Sequence, residues 1–310
     1  MKNNKKSVKI QTKGFSTHKQ GDEPKDNQDA FSISQDQMRF AISDGASLSP
    51  KSGLWSRTLT KFFASDKYDF KTHTAESLSK WLEEPRKEWS NKAQIDKLPI
   101  PLKLKLKQLK GSVSTFVGCS IVNNPKKNRI NILYVGDSTV FLIKNQKIKK
   151  MFPINNSSEF SSQTEFLGSS KERGGEEKIK LEAIRFDSKD SIIIATDELA
   201  KWIMIQFENK KQDWKKLLSM KENEFPKFVE HLRNSKQVDE DDMTFVICQR
   251  ISKKVKKKSD DSQSKLSEFV WIFDLQLKHM KPDIRLRIAI LVNKKFGMKR
   301  ILKDNPINRN

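Results

Sequence analysis

The sequence predicts an antiparallel α+β fold. Its apolar segments run strands, helices, strands, helices and a last strand, which is not the regular strand–helix alternation of a parallel sheet. A polar turn, Asn123-Asn124-Pro125-Lys126-Lys127-Asn128, joins two β-rich segments as a hairpin. The chain is long enough for a sizeable core, with 310 residues, 35% of them apolar and 9% aromatic.

The elements follow in order. Residues 1–13 read as a basic, frayed start. Residues 30–34 and 39–43 alternate in the strand period. Leu54, Trp55, Leu59, Phe62 and Phe63 recur at helical spacing over 52–65, and a second helical pattern covers 72–89 with a break at Pro85. Pro99 and Pro101 mark a loop. Segments 113–122, 131–135 and 139–144 are β-branched and apolar, hence strands. Residues 153–178 form a long polar excursion, a kind of loop that is usually functional or mobile. Strands return at 181–186 and 191–195, helical patterns at 199–207, 214–220 and 225–232, and a last strand at 243–249. Trp81, Trp89, Trp202 and Trp214 lie on helical patterns and read as core.

Composition excludes several classes. The longest apolar runs, 269–273 and 288–292, are five residues, too short to cross a membrane. No apolar stretch follows the charged first residues, so no secretory signal is expected. Cys119 and Cys248 lie in apolar strands, which suits core packing in a reducing, cytoplasmic setting. Neither is followed six residues on by the Arg of a cysteine phosphatase, and the four histidines lack zinc spacing. The formal charge of +22 draws the surface toward polyanions.

Three apolar strands run directly into an aspartate: Phe40-Ala41-Ile42-Ser43 into Asp44, Leu133-Tyr134-Val135-Gly136 into Asp137, and Ile193-Ile194-Ala195-Thr196 into Asp197. Asp239-Glu240-Asp241-Asp242 precedes the last strand, and Gln28-Asp29 precedes the first. Any one of these alone is an ordinary turn residue or helix cap. Together, carboxylates without His or Cys partners select a hard cation, Mg²⁺ or Mn²⁺. Two such ions acidify a shared water and grip a phosphate on its in-line path.

In this order the stretches Asn27-Gln28-Asp29-Ala30-Phe31, Ala41-Ile42-Ser43-Asp44-Gly45-Ala46, Gly111-Ser112-Val113-Ser114-Thr115, Tyr134-Val135-Gly136-Asp137-Ser138, Ile193-Ile194-Ala195-Thr196-Asp197 and Asp241-Asp242-Met243-Thr244 resemble the metal-dependent protein phosphatases of type 2C over about residues 8–250. His18, the Gln28-Asp29 pair and Trp55 resemble a bacterial subgroup. The resemblance implies two packed antiparallel sheets flanked by helices, a four-layer α-β-β-α sandwich. It implies hydrolysis of phosphoserine and phosphothreonine in proteins, and a cognate kinase as partner. Asp44 would bridge two ions, Gly45 would offer its carbonyl to one, and Asp197 and Asp241 would bind the other. Asp137 would hold a weaker third ion beside Asp197, and Asp29 would orient the attacking water.

The chain departs from that family at several positions. Gln28 replaces a frequent Glu, Ala46 a frequent His, Glu198 a common Gly and Asp242 an Asn. The phosphate-gripping Arg falls on Pro24, leaving Lys25 or His18 as substitutes, although a Lys lacks the bidentate fork. These departures motivate an alternative, a weakly active or inactive phosphatase-like regulatory module. The division expected is a basic segment over 1–13, a phosphatase-like domain over 14–250, a charged linker over 251–265 and a basic, helical extension over 266–310. Residues 251–310 carry 16 Lys and Arg against 6 Asp and Glu, a net +10. Residues 253–310 are thus candidates for binding nucleic acid or an anionic surface.

Overall fold

A computed structural model describes residues 8–65, 68, 74–124, 127–160 and 164–252. The linker and helical extension expected beyond residue 252 lie outside the described residues.

Twelve strands and five α-helices are described. Strands β1 (Val8–Thr17), β2 (Ala30–Ile33) and β3 (Arg39–Ser43) precede helices α1 (Ser52–Ser65), α2 (Ala75–Ala93) and α3 (Ile100–Leu109). Strands β4 (Val113–Ser114), β5 (Phe116–Asn124), β6 (Lys127–Val135), β7 (Thr139–Lys144), β8 (Lys147–Phe152), β9 (Leu167–Gly168), β10 (Lys180–Arg185) and β11 (Asp190–Ala195) follow. Helices α4 (Asp197–Glu208) and α5 (Phe225–Asn234) then lead to β12 (Met243–Ser252).

Two five-stranded antiparallel sheets result, one ordered β1-β12-β11-β7-β8 and the other β10-β6-β5-β3-β2. They face each other across a core of Phe40, Ile42, Val117, Ile132, Val140, Ile192, Ile194 and Val246, with both free cysteines buried inside it. The outer face of the first sheet packs Phe15, Phe141, Ile193 and Phe245 against α4 and α5 through Leu199, Trp202, Ile203, Val229 and Leu232. The outer face of the second packs Phe116, Leu133 and Val135 against Trp55, Leu59 and Phe63 of α1 and Trp81, Leu82 and Trp89 of α2. The layers are therefore α-β-β-α. Each large side chain buried here contributes about 1.5–3 kcal/mol.

The structure differs from the sequence expectations at several places. Residues 8–13 are not a frayed start but the first six residues of β1, paired with β12 in an unbroken register from Val8↔Ser252 to Thr17↔Met243. Helix α2 runs through Pro85 without ending, because Leu78, Trp81, Leu82 and Trp89 are buried along it and outweigh the roughly 3 kcal/mol lost at an interior proline. Pro99 and Pro101 do not hold a loop open but start α3, where a first-turn N–H would have no partner in any case. The helical pattern at 214–220 is a 3-10 helix over Asp213–Ser219.

Candidate metal and phosphate site

Antiparallel pairing brings eight strand ends to one rim. Thr17 pairs with Met243, Ala195 with Phe245 and Thr139, Ala30 with Ser43, and Phe116 with Val135. Asp29, Asp44, Asp137, Asp197, Asp241 and Asp242 each stand within two residues of one of these ends. Asp137 sits in the turn that carries the chain from β6 in one sheet to β7 in the other. That turn needs Gly136, whose φ is 91° and where a Cβ would meet Thr115 Cγ2 at 2.6 Å.

Hydroxyls and amides fix the acids. Asp44 is held through its backbone: its carbonyl accepts from the Thr115 amide at 2.8 Å, and its amide donates to Thr115 Oγ1 at 3.2 Å. Asp29 is 5% exposed and accepts from Thr196 Oγ1 at 2.9 Å, so the Thr at the N-terminus of α4 serves a neighbouring carboxyl and does not cap its own helix. Asp137 Oδ2 accepts from Thr164 Oγ1 at 2.6 Å, which ties the 153–178 excursion to the rim. The same excursion is anchored behind by Glu176, whose carboxylate lies 2.8 Å from Arg86 Nη2 on α2. Asp242, 4% exposed, is a bracket: it accepts from the Lys19 amide at 2.9 Å and the Gln28 amide at 2.8 Å. Asp241 Oδ1 pairs with Lys19 Nζ at 2.9 Å.

The acids act on one another. Burial first, then the charges of Asp29, Asp197, Asp137 and Asp241, push the Asp44 carboxyl well above its ordinary value. Burial, then Asp242 and Asp197, push Asp29 up against the opposing bond from Thr196. Asp197 is raised to about 7 by burial, then by Asp137 and Asp241. Burial also raises Asp137. For Asp44, Asp29 and Asp197 the part that follows burial comes from acids of separate chain segments gathered in one region.

The site's chemistry suits hard cations. The donors are all oxygen, and Asp137 Oδ1 is buried without a hydrogen-bond partner. Gly45 is enclosed: its amide donates to Gln28 O at 3.2 Å, and a Cβ would lie 2.8 Å from the Ser52 carbonyl carbon. Among the described residues, no three such side chains are drawn close enough to hold an ion as they stand.

The residues expected to meet the phosphate are held differently. His18 Nδ1 donates to the Lys19 carbonyl at 3.0 Å. Lys25 projects into solvent and pairs with Glu23. Glu198 is turned to the 239–242 segment, accepting from the Asp239 amide at 2.7 Å. Sequence reasoning missed Lys19, Thr164 and the hydroxyl of Thr196. Nothing distinguishes Lys19 among 61 Lys and Arg residues, whereas a Thr directly before Asp197 was a visible signal.

The comparisons agree with this fold. The family model described as protein phosphatase 2C matches residues 16–258. None of the curated proteins matches the sequence. Among solved structures, PppA, a regulatory component of the T6SS in Pseudomonas aeruginosa, shares 13% identity at a TM-score of 0.52, covering 79% of this chain and 100% of that one. The catalytic domain of the serine/threonine phosphatase PstP, solved with two manganese ions, shares 12% at 0.52 over the same proportions. The serine/threonine phosphatase of S. agalactiae shares 12% at 0.51, covering 77% of this chain and 99% of that one. At such identities the structural likeness speaks to the fold alone. The family match over most of the length, with the acids gathered at one rim, identifies this chain as a member of the protein phosphatase 2C family.

Proposed function

We propose that this protein hydrolyses phosphoserine and phosphothreonine in phosphoproteins, with Mg²⁺ or Mn²⁺ as cofactor. Asp44, the Gly45 carbonyl, Asp197 and Asp241 would hold two ions, and Asp137 a third. The bound ions supply the field that acidifies water and neutralises the phosphoryl oxygens. Asp29, fixed by Thr196, orients the attacking water toward phosphorus. His18 and Lys25 are the groups proposed to meet the phosphate, and Lys25 lies on an exposed turn where it pairs with Glu23.

The observation that carries the reading is the gathering of buried acids at one rim: burial first, then the charges of Asp29, Asp197, Asp137 and Asp241 from separate parts of the chain, push the Asp44 carboxyl up. Without a cation that arrangement is costly, and with one it is a binding site. The test is phosphate release from a phosphothreonine peptide with Mn²⁺. We expect turnover in the wild type and a loss of at least about 100-fold in Asp44→Asn and Asp197→Asn. Absence of turnover, or unchanged rates in both variants, would overturn it.

A second reading has its own support. Pro24 stands where the family carries Arg, and Lys19 occupies Asp241. A regulatory module that keeps the fold with little activity fits those features, and calorimetry with no Mn²⁺ binding at millimolar concentration would favour it. We further propose the domain limits 14–250, extended forward to include the strand from residue 8, and a polyanion-binding role for residues 253–310. A cognate kinase follows from the substrate class. The two buried free thiols support a cytoplasmic setting. Among the described residues no helix is long and apolar enough to cross a membrane.

A further inference from the structure

Residues 18–20 are locked against the turn that precedes β12. The Lys19 amide donates to Asp242 Oδ1 at 2.9 Å, and the Gln20 amide to Glu240 Oε1 at 2.6 Å. Arg233 Nη2 donates to the carbonyls of both His18, at 3.1 Å, and Asp241, at 2.5 Å. The backbone that carries Lys19 is therefore fixed before its side chain does anything. From that platform Nζ donates to Ser47 Oγ at 3.2 Å and lies 2.9 Å from Asp241 Oδ1. The lysine side chain is only 25% exposed, and its charge also acts with Asp242 and Asp44.

We propose that Lys19 is a tethered counter-ion of the acid cluster, seated on the Asp241 carboxylate in the ion-free protein and competing with the divalent ion for it. The proposal rests on the phosphatase reading at one point, that Asp241 ligates an ion. An ordinary surface ion pair is weak because two long side chains must be ordered to form it. Here the backbone on the lysine side is already ordered by three backbone contacts that do not involve Nζ. A divalent cation on Asp241 repels an ammonium a few ångströms away. Ion entry must therefore move Nζ off the carboxylate, with Ser47 as the hydroxyl it already touches. The lysine thus sets how much free divalent ion the site needs. It is a positioning residue: it acts on the ion through Asp241 and not on the substrate.

The experiment is calorimetric titration of Mn²⁺ into the metal-stripped full chain, at fixed ionic strength, for wild type, Lys19→Met, Lys19→Gln and Lys19→Arg, with melting in chelator as a second readout. Lys19→Met and Lys19→Gln should bind Mn²⁺ about 3- to 10-fold more tightly and melt lower without it. Lys19→Arg keeps the charge and should stay within about 2-fold of wild type. A gain in affinity is not what structural damage produces, and none of the substitutions removes the backbone contacts of residues 18–20. Two uncharged replacements guard against one that fails to fold. If both fold and bind no more tightly than a wild type that does bind Mn²⁺, the counter-ion role is overturned while the phosphatase reading stands. A wild type that binds no Mn²⁺ overturns both.

Discussion

Asp197→Asn, unfolded by urea in chelator across the range from about pH 5 to about pH 8, measures the strain in the acid cluster. Burial, followed by Asp137 and Asp241, holds the Asp197 carboxyl at about 7 against an ordinary 3.8. Between those two values the folded chain binds a proton that the unfolded chain has released. Stability therefore falls as pH rises through the window, and levels off above it. A carboxyl raised from 3.8 to about 7 corresponds to at most about 4 kcal/mol across the window. Because Asp197 shares the field with its neighbours, about 2–3 kcal/mol is the expected individual effect. Glu176, held low by the Arg86 guanidinium, works the other way, losing stabilisation as pH falls. The comparison between variant and wild type cancels it. Asn cannot ionise, so the variant should already exceed the wild type at about pH 5, and its advantage should widen until about pH 7 and then level off. Mn²⁺ should restore the wild type chiefly at the higher pH. Equal pH slopes in the two proteins would refute the claim that these carboxyls crowd one another.

Two further outcomes follow from particular contacts. Gly45→Ala places a Cβ 2.8 Å from the Ser52 carbonyl carbon and 2.9 Å from Gln28 O, both backbone atoms that cannot swing aside. It should lower urea stability by about 1–3 kcal/mol and weaken Mn²⁺ binding, and an unchanged midpoint would contradict the enclosed position. Deleting residues 253–310 should abolish salt-sensitive retention on DNA, whereas retention that survives the deletion would assign it to the remaining basic surface.

The site was legible where strand patterns end in an acid. Asp44, Asp137 and Asp197 each follow a run of buried β-branched or aromatic residues, so their placement at a sheet rim follows from the strand itself. Element β1 was hidden by charge. Lys9 and Lys13 are exposed, while Thr12 and Phe15 are buried on opposite faces, so no single apolar face stands out in the sequence. Strand β8 was hidden in the same way, with Lys147, Lys149 and Lys150 exposed around a buried Ile148 and Phe152. Its position at the sheet edge tolerates that composition. Partners such as Lys19 with Asp241, or Thr164 with Asp137, join residues 222 and 27 positions apart and leave no local trace. Only the topology brings them together.

The most direct measurement is anomalous X-ray diffraction from crystals of the full chain soaked in Mn²⁺. The account predicts peaks bounded by Asp44, Asp197 and Asp241, with the Lys19 ammonium withdrawn from Asp241. Density for the ion elsewhere on the molecule, or none at these carboxylates in crystals that hold it at other sites, would contradict the central claim.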